Sequence, residues 1–331
     1  MSYSKAIPEI LCLRPKQDFL DVGVIPPKNL QVHYKDLAED HIEIEHLKVN
    51  CKALVIPAVG KKIKTSFFAG TNIKMVQITG AGFDRLEVNK LREKNINVCN
   101  ISGGSDQAVA EYCHTGAILV SRQLLSLTGA SPQEYGDIRV NMIKTKMNSL
   151  DGMTVGIIGY GNIGKCTASF FRKSGCKILV YDPLLADTKF LDEPKIKKTD
   201  ISNLLRESDI VSIHTPKSES TTNLIDSAEI ALMKPNSILI NAARGGIVNE
   251  LALAKAITDS KIGGAVVDVY SSEPPSPDNP LFMVPKPQIN RLILTPHIAG
   301  VTSQAWNELF NRSWQNILDF ILNKSPKYVI N

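Results

Sequence analysis

Three residues in the second half of the chain have side chains that together could reduce a carbonyl group. Arg244 offers two parallel donors for a carboxylate or keto oxygen, a geometry that lysine cannot match. His297 can give and take a proton near neutral pH, and Glu273 would bond its other ring nitrogen and favour the imidazolium. Alone, each has a plainer explanation, such as a surface salt bridge, an exposed carboxylate or a strand-end histidine. Together they predict a site that moves a hydride to or from a hydroxy acid without a metal.

A glycine-rich turn supplies the second chemical signal. The motif Gly159-Tyr160-Gly161-Asn162-Ile163-Gly164 follows an apolar run at residues 155–158 and opens a helix-compatible segment. A second strand at residues 177–181 then ends at Asp182, which is placed to accept hydrogen bonds from a ribose diol. The glycines allow a tight turn and a pyrophosphate at the helix N-terminus. Because no arginine follows until Arg206, the pattern predicts NAD rather than NADP. The alternative is a turn of this shape that binds nothing.

The elements that must position these residues alternate in type along the chain. In the first 103 residues, short apolar runs predict strands at residues 10–13, 30–34, 53–56, 75–79 and 96–100, which is typical of a small parallel α/β domain. After the glycine motif, strands are predicted at residues 210–213, 238–241, 265–268 and 292–295. With the two strands of the motif, these make a six-stranded parallel sheet, for which we expect the order 3-2-1-4-5-6. Arg244, Glu273 and His297 follow the ends of three of these strands, so they should converge at one sheet edge.

Other segments carry weaker signals. Gly80-Ala81-Gly82 follows a predicted strand, so it is either an anion-binding turn or a turn that merely needs glycine. Lys61 and Lys62 are either solvated or in contact with an acidic substrate. A long helix is predicted at residues 107–127. An amphipathic segment at residues 131–149 could pack on a second subunit.

Composition excludes several classes of protein. A chain of 331 residues with 43% hydrophobic and 21% charged residues predicts two globular domains. The net charge of +5 is spread along the chain, with no basic run or motif that indicates nucleic-acid binding. The sequence lacks a signal-peptide core and an apolar run of membrane-spanning length, so we expect a cytoplasmic protein. The six cysteines lack CxxC spacing and are expected to be reduced thiols.

With these residues in view, the chain resembles the D-isomer-specific 2-hydroxyacid dehydrogenase family over essentially its whole length. The stretches that carry the resemblance are Gly80-Ala81-Gly82-Phe83-Asp84, Val109-Ala110-Glu111, the glycine motif, Tyr181-Asp182-Pro183, His214-Thr215-Pro216, Asn241-Ala242-Ala243-Arg244-Gly245, Asp268-Val269-Tyr270 with Glu273-Pro274, and Thr295-Pro296-His297-Ile298-Ala299. The implied fold class is α/β, a Rossmann doubly wound parallel sheet plus a smaller flavodoxin-like α/β substrate domain, with a cleft between them. The implied domains are residues 1–103 with 302–331 for substrate and residues 104–301 for NAD.

The resemblance also implies roles for individual residues. Arg244, Glu273 and His297 would be catalytic, amides around Ala81 and Gly82 would hold the substrate carboxylate, and Asp268 would orient the nicotinamide amide. The implied cofactor-binding residues are Gly159, Tyr160, Gly161, Asn162, Ile163, Gly164, Asp182, His214, Thr215, Pro216, Ala242, Ala243, Arg244, Asp268, His297 and Gly300. Members of the family are usually homodimers, and the implied partner is a small 2-oxo or 2-hydroxy acid.

Departures from subfamily patterns narrow the substrate. The chain lacks the arginines that phosphoglycerate dehydrogenases have before the Gly-x-Gly turn and after the third strand. It has Ala81 where phosphite dehydrogenases have lysine, and Glu273 where formate dehydrogenases have glutamine. The expected substrate is therefore a small 2-oxo acid such as glyoxylate or hydroxypyruvate, or a larger analogue. Trp306 is either a core residue or a substrate contact. The alternative function is an NAD-sensing binding protein, similar to transcriptional corepressors of the C-terminal-binding type.

Overall fold

The computed structural model describes residues 7–127, 129–145, 147–185 and 196–331. The chain folds into two compact units. The first runs to Ser105 and resumes at Val301, and the second spans Asp106–Gly300.

Strands and helices alternate along most of the chain. In chain order they are β1 (Glu9–Cys12), α1 (Lys16–Asp21), β2 (Gln31–Tyr34), α2 (His41–Leu47), β3 (Ala53–Ile56), β4 (Met75–Ile78), α3 (Val88–Glu93), β5 (Asn97–Cys99), α4 (Asp106–Ser121), α5 (Tyr135–Thr145), β6 (Thr154–Ile158), α6 (Asn162–Lys173), β7 (Lys177–Tyr181), β8 (Ile196–Lys198), α7 (Ile201–Glu207), β9 (Ile210–Ile213), α8 (Ser227–Leu232), β10 (Ile238–Asn241), α9 (Glu250–Thr258), β11 (Gly264–Val267), β12 (Leu292–Leu294) and α10 (Ser303–Ile321). Short 3-10 turns lie at Thr65–Phe68, Leu124–Leu127, Pro132–Glu134, Glu219–Thr221, Pro280–Met283 and Gln288–Arg291.

The first unit is built on a five-stranded parallel sheet in the order β2-β1-β3-β4-β5, which is the flavodoxin-like order. All five strands were predicted, each within about a residue of its observed ends. Helix α10 packs on this sheet through Phe310, Trp314 and Ile317. Thr302 precedes the helix, and its side chain accepts a hydrogen bond from the Ala305 amide and caps the first turn.

The second unit contains seven parallel strands, in the order β12-β11-β10-β9-β6-β7-β8. Numbered from the glycine motif, this order is 3-2-1-4-5-6-7. The predicted count of six was wrong, because it omitted β8 and so took β9 as the third strand. Strand β8 has only three residues, Ile196 and two lysines, so it lacks the apolar run that marked the other strands. Lysines are common on edge strands, where they discourage pairing with other chains.

The long helix predicted at residues 107–127 ends earlier than expected. Helix α4 stops at Ser121, and a 3-10 turn at Leu124–Leu127 replaces the last part of the predicted helix. The cause is local, because Gln123 adopts the left-handed conformation (φ 50°), which cannot continue a right-handed helix. In the amphipathic segment, α5 buries none of its described side chains, and Tyr135 and Ile143 are about 60% exposed. That this segment packs on a second subunit stays a prediction.

All six cysteines are free thiols, as predicted, and all except Cys166 are buried. Burial raises the pKa of the Cys12, Cys51, Cys99 and Cys113 thiols to about 12. These four are therefore poor nucleophiles at neutral pH. Within the described parts of the chain, no helix combines the length and the apolar character needed to cross a membrane.

Candidate active site

Glu273 and His297 form a hydrogen-bonded pair beyond the carboxyl ends of β11 and β12. The distance between His297 Nδ1 and Glu273 Oε2 is 2.8 Å, and the two side chains are 23% and 22% exposed. Because a carboxylate only accepts hydrogen bonds, the ring must carry a proton on Nδ1. The carboxylate thus fixes the tautomer and leaves Nε2 to exchange a proton with a ligand.

The environment keeps Glu273 ionised. Burial acts to raise the pKa of its carboxyl group, but the His297 hydrogen bond and charge, the Tyr270 amide and the Arg244 charge outweigh that effect. The net result is a pKa below the usual range for glutamate. The amide of Tyr270 donates to Glu273 Oε1 at 3.1 Å, which holds the second oxygen in place. A charged carboxylate therefore faces the imidazole at neutral pH.

The backbone at His297 is held in a strained conformation. Its φ of 58° lies in the left-handed region, which costs a residue other than glycine on the order of 1 kcal/mol or more. Asp268, fully buried, holds the following residues: the Ile298 amide donates to Oδ1 and the Ala299 amide to Oδ2, both at 2.8 Å. These two bonds to a buried carboxylate offset the strain and aim the imidazole.

Asp268 receives a further bond that the sequence did not reveal. Thr295 Oγ1 donates to Asp268 Oδ1, so the hydroxyl of Tyr112 on α4 must donate to Thr295. The chain of bonds links α4 to the loop that carries His297. Asp268 thus has three structural bonds, and its implied contact with the nicotinamide amide stays a prediction. No sequence signal marked Tyr112, because an aromatic residue in the middle of α4 is expected to be a packing residue.

Arg244 lies in the loop after β10, and hydrogen bonds within the loop hold the first residues of the loop in place. Asn241 Nδ2 donates to the Arg244 carbonyl at 3.1 Å, and Asn241 Oδ1 accepts from the Ala243 amide at 3.2 Å. The Arg244 guanidinium donates from Nη1 to the Ala243 carbonyl at 2.6 Å. Its charge also helps to lower the pKa of Glu273. The structure therefore places the guanidinium within electrostatic range of the Glu273–His297 pair.

The glycine motif has the shape that a dinucleotide needs. A Cβ on Gly164 would lie 2.1 Å from the Gly159 carbonyl oxygen, so α6 approaches the β6 strand end as closely as glycine alone permits. Gly159 has φ 91°, and a Cβ there would lie 2.7 Å from the His214 carbonyl oxygen. At Gly161, by contrast, a Cβ would meet nothing within 4 Å. The surface over Gly161, at the start of α6, is open to a phosphate group.

Asp182 is fixed at the end of β7 by two backbone amides. The amide of Tyr160 donates to Oδ2 at 2.8 Å and that of Leu184 to Oδ1 at 2.9 Å. Each carboxylate oxygen can accept a second bond, so the side chain can still bind a ribose diol. The bond to Tyr160 also ties Asp182 to the glycine turn. The turn, the helix start and this carboxylate together fit an adenine dinucleotide.

The remaining residues of the predicted cofactor site lie at the ends of β9, β10 and β12. His214 Nε2 hydrogen-bonds Ser212 Oγ at 2.8 Å, and burial lowers the pKa of His214 to about 3. It is therefore neutral at physiological pH. Thr215 and Pro216 lie in the same loop as His214, Ala242 lies at the start of the loop that carries Arg244, and Gly300 lies in the loop that carries His297.

In the first unit, the turn after β4 presents free amides. Asn100 Nδ2 donates to the Ala81 carbonyl at 2.7 Å and holds the turn. The amides of Ala81 and Gly82 donate to no residue that the structure describes. A Cβ on Gly80 would lie 2.9 Å from the Ala58 Cβ, so this turn touches the loop after β3. That this turn binds an anion stays a prediction.

The structure shows the surroundings of three residues whose contact with substrate the sequence left open. Lys61 and Lys62 are exposed. Trp306 is partly buried, with the Arg14 guanidinium 4.5 Å from its ring centroid and the Phe310 ring 5.6 Å away. Trp306 is thus part of the aromatic packing of the first unit.

Comparison with known proteins identifies the family. Residues 121–299 match the family sequence model for the NAD-binding domain of D-isomer-specific 2-hydroxyacid dehydrogenases. The chain is 33% identical over 273 residues to a hydroxypyruvate reductase from Thermotoga maritima, which covers 82% of this chain and 86% of the relative. It is 32% identical over 257 residues to a D-3-phosphoglycerate dehydrogenase from Archaeoglobus fulgidus, covering 77% of this chain but only 46% of that protein.

The fold is likewise similar to a solved structure. A D-lactate dehydrogenase from Aquifex aeolicus, solved with NAD and lactic acid, matches with a TM-score of 0.79 at 23% identity, covering 95% of this chain and 96% of that one. At this identity the match shows a shared fold. The matched sequence domain is an NAD-binding domain, so NAD is the cofactor of the second unit. The chain belongs to the D-isomer-specific 2-hydroxyacid dehydrogenase family.

Proposed function

We propose that this protein reduces a small 2-oxo acid to its D-2-hydroxy acid with NADH, and catalyses the reverse reaction with NAD. The observation that carries the proposal is the hydrogen bond of 2.8 Å between His297 and an ionised Glu273, with the charge of Arg244 acting on the same carboxylate. An acid-base histidine, its orienting carboxylate and a guanidinium are the groups that carbonyl reduction requires.

The proton steps belong to His297. Bound NADH would supply the hydride that reaches the carbonyl carbon of the 2-oxo acid. His297, protonated on both ring nitrogens, would donate the Nε2 proton to the carbonyl oxygen as that oxygen gains negative charge. Glu273 would stabilise the imidazolium before the transfer and keep Nδ1–H in place afterwards. In the oxidation direction the neutral imidazole would take the hydroxyl proton.

The other groups would bind and polarise the substrate. Arg244 would donate to the keto oxygen or the carboxylate and stabilise the charge that develops in the transition state. The free amides of Ala81 and Gly82 would hold the substrate carboxylate. On this proposal the unit that contains β1–β5 is the substrate domain, and the unit that contains β6–β12 is the NAD domain.

The test is NADH oxidation with a panel of 2-oxo acids: glyoxylate, hydroxypyruvate, pyruvate, phenylpyruvate and oxaloacetate, each followed by chiral analysis of the product. Arg244→Ala should remove several kcal/mol of transition-state stabilisation and so lower kcat/KM about 100-fold or more. Arg206→Ala, an exposed arginine at the end of α7, is the matched control and should leave kcat/KM unchanged.

The outcomes separate the two candidate functions. Turnover that gives the D product and depends on Arg244 supports the reductase. Wild-type kcat/KM in Arg244→Ala contradicts the polarising role. NADH binding without turnover of any 2-oxo acid would instead favour the NAD-sensing binding protein.

A further inference from the structure

Arg85 joins the two loops that follow β3 and β4 in the first unit. Its Nη1 donates to the Pro57 carbonyl at 2.8 Å and its Nε to the Lys61 carbonyl at 2.9 Å. The Arg85 carbonyl in turn accepts from the Ile63 amide at 2.9 Å. The residue as a whole is only 8% exposed. The side chain therefore lies beneath the loop at residues 57–61 and sets its position against the turn at Gly80–Gly82.

The guanidinium has no carboxylate partner among the residues that the structure describes. Its two hydrogen bonds go to neutral carbonyl groups, and burial lowers its pKa. A guanidinium nevertheless remains protonated at neutral pH. Buried charges in proteins are normally paired, because removing a charge from water is costly. A buried arginine held by carbonyls alone is thus a cation that lacks a counter-ion.

One edge of this cation is accessible to a ligand. Nη2 donates to no described residue and is not fully enclosed by protein atoms, so it touches solvent. Gly60 is exposed and lies against the guanidinium, since a Cβ on Gly60 would lie 3.1 Å from Arg85 Cζ. Because glycine has no side chain, Gly60 does not cover the guanidinium. Gly60 and Arg85 lie beyond the carboxyl ends of β3 and β4. Ligands bind at this edge of the sheet in open α/β folds.

The surroundings add positive charge. Lys61 and Lys62 are exposed on the loop that Arg85 holds, and the free amides of Ala81 and Gly82 lie in the neighbouring turn. Asp84, also exposed, is the acidic residue next to Arg85 in sequence. The Arg85 side chain itself donates to the Pro57 and Lys61 carbonyls. This edge can therefore hold two anionic groups, one at the amides and one at Arg85.

We infer that Arg85 is a specificity-determining residue, and that the substrates of this enzyme are 2-oxo acids with a second anionic group, such as a carboxylate, sulfonate or phosphate, which binds the free edge of the Arg85 guanidinium. The inference rests on the proposed reduction of 2-oxo acids and names the substrate class. A planar guanidinium suits such groups because it presents parallel donors to their oxygens. The anion would supply the counter-ion that the protein itself does not provide.

The experiment compares matched substrates that differ in the second anionic group: pyruvate with oxaloacetate and sulfopyruvate, and hydroxypyruvate with 3-phosphohydroxypyruvate. The wild-type enzyme should show a higher kcat/KM for the doubly charged member of each pair. Arg85→Gln keeps a donor for the loop carbonyls but removes the charge. It should lower kcat/KM for the doubly charged member about 10-fold to 100-fold more than kcat/KM for its singly charged partner, mainly through KM.

Two further variants and a salt titration complete the test. Arg85→Lys should keep part of the preference because it keeps the charge. Arg92→Gln, on an exposed position of α3, is the matched control and should change nothing. In the wild-type enzyme the preference should fall as NaCl rises, because salt screens the attraction between the second anionic group and the positive charges at this edge. The comparison of substrate pairs in the wild-type enzyme needs no variant, so the inference can be overturned even if Arg85→Gln does not fold.

The failures are distinguishable. Wild-type turnover of pyruvate and hydroxypyruvate without preference for the doubly charged partners overturns the inference and leaves the proposed function intact. An equal loss for both members of a pair in Arg85→Gln also overturns it, because Arg85 would then only hold the loop. Absence of turnover for every 2-oxo acid overturns the proposed function itself.

Discussion

The charge of Glu273, separately from its geometry, should set the rate of reduction. In Glu273→Gln, the amide oxygen can still accept the proton on His297 Nδ1, so the tautomer is kept while the negative charge is lost. The positive charge that the imidazole must carry as proton donor then lacks its stabilising partner. Because reduction needs this proton donor, kcat/KM for reduction of the 2-oxo acid should fall.

The geometry gives the size of this loss. Two unit charges about 4 Å apart attract by roughly 4 kcal/mol at an effective dielectric constant near 20. The nitrogen and oxygen are 2.8 Å apart, but the two side chains are 23% and 22% exposed, so solvent weakens the attraction. A hydrogen bond to a charged group contributes about 1.5–3 kcal/mol. We take about 2 kcal/mol, which corresponds to a fall in kcat/KM of about 30-fold.

The assay is the initial rate of NADH oxidation at fixed pH and ionic strength, fitted to kcat/KM for the 2-oxo acid. Glu273→Gln should be about 30-fold slower than wild type. Glu207→Gln, exposed at the end of α7, is the control and should keep the wild-type kcat/KM. A wild-type kcat/KM in Glu273→Gln would refute the electrostatic reasoning.

Two further predictions concern the NAD unit. Asp182→Ala should weaken NAD binding and shift the preference toward NADP, because the carboxylate that accepts the ribose hydroxyls is lost; an unchanged ratio of the two dissociation constants removes that role. Burial lowers the pKa of His214 in the folded protein, so the folded state favours the neutral ring. This contribution to the free energy of unfolding is complete above pH 6.5 and is lost as the pH falls toward about 3. His214→Gln should therefore flatten the fall in unfolding free energy below pH 6.5, about 1.4 kcal/mol per pH unit, as measured by urea denaturation; parallel curves for both proteins contradict this.

Much of the fold follows from local sequence signals. The buried parallel strands are apolar at nearly every position, as in β3 and β10, so each strand is visible in a window of a few residues. Strand β8 was missed because its two lysines suit an edge strand rather than a buried one. The early end of α4 was missed because a left-handed Gln123 leaves no signal in helix propensity.

The sequence by itself determined the site to the level of residue types at strand ends. The spacing of Gly159, Gly161 and Gly164 dictates a turn because these positions need no side chain, and parallel strands bring their carboxyl ends to one edge. Arg244, Glu273 and His297 could therefore be assigned to one edge before any coordinates were known. This part of the prediction depends on local geometry and on a topological rule.

The tertiary structure alone decided which side chains support the site. Asp268 bonds an amide 31 residues away, Tyr112 reaches Thr295 across 183 residues, and Arg85 reaches the Pro57 carbonyl across 28. Such bonds depend on how packed elements approach one another, to within a few tenths of an ångström. No pattern of neighbouring residues encodes that distance. The sequence determined the groups at the sheet edges, and packing determined which buried partners hold them and left Arg85 with an uncompensated charge.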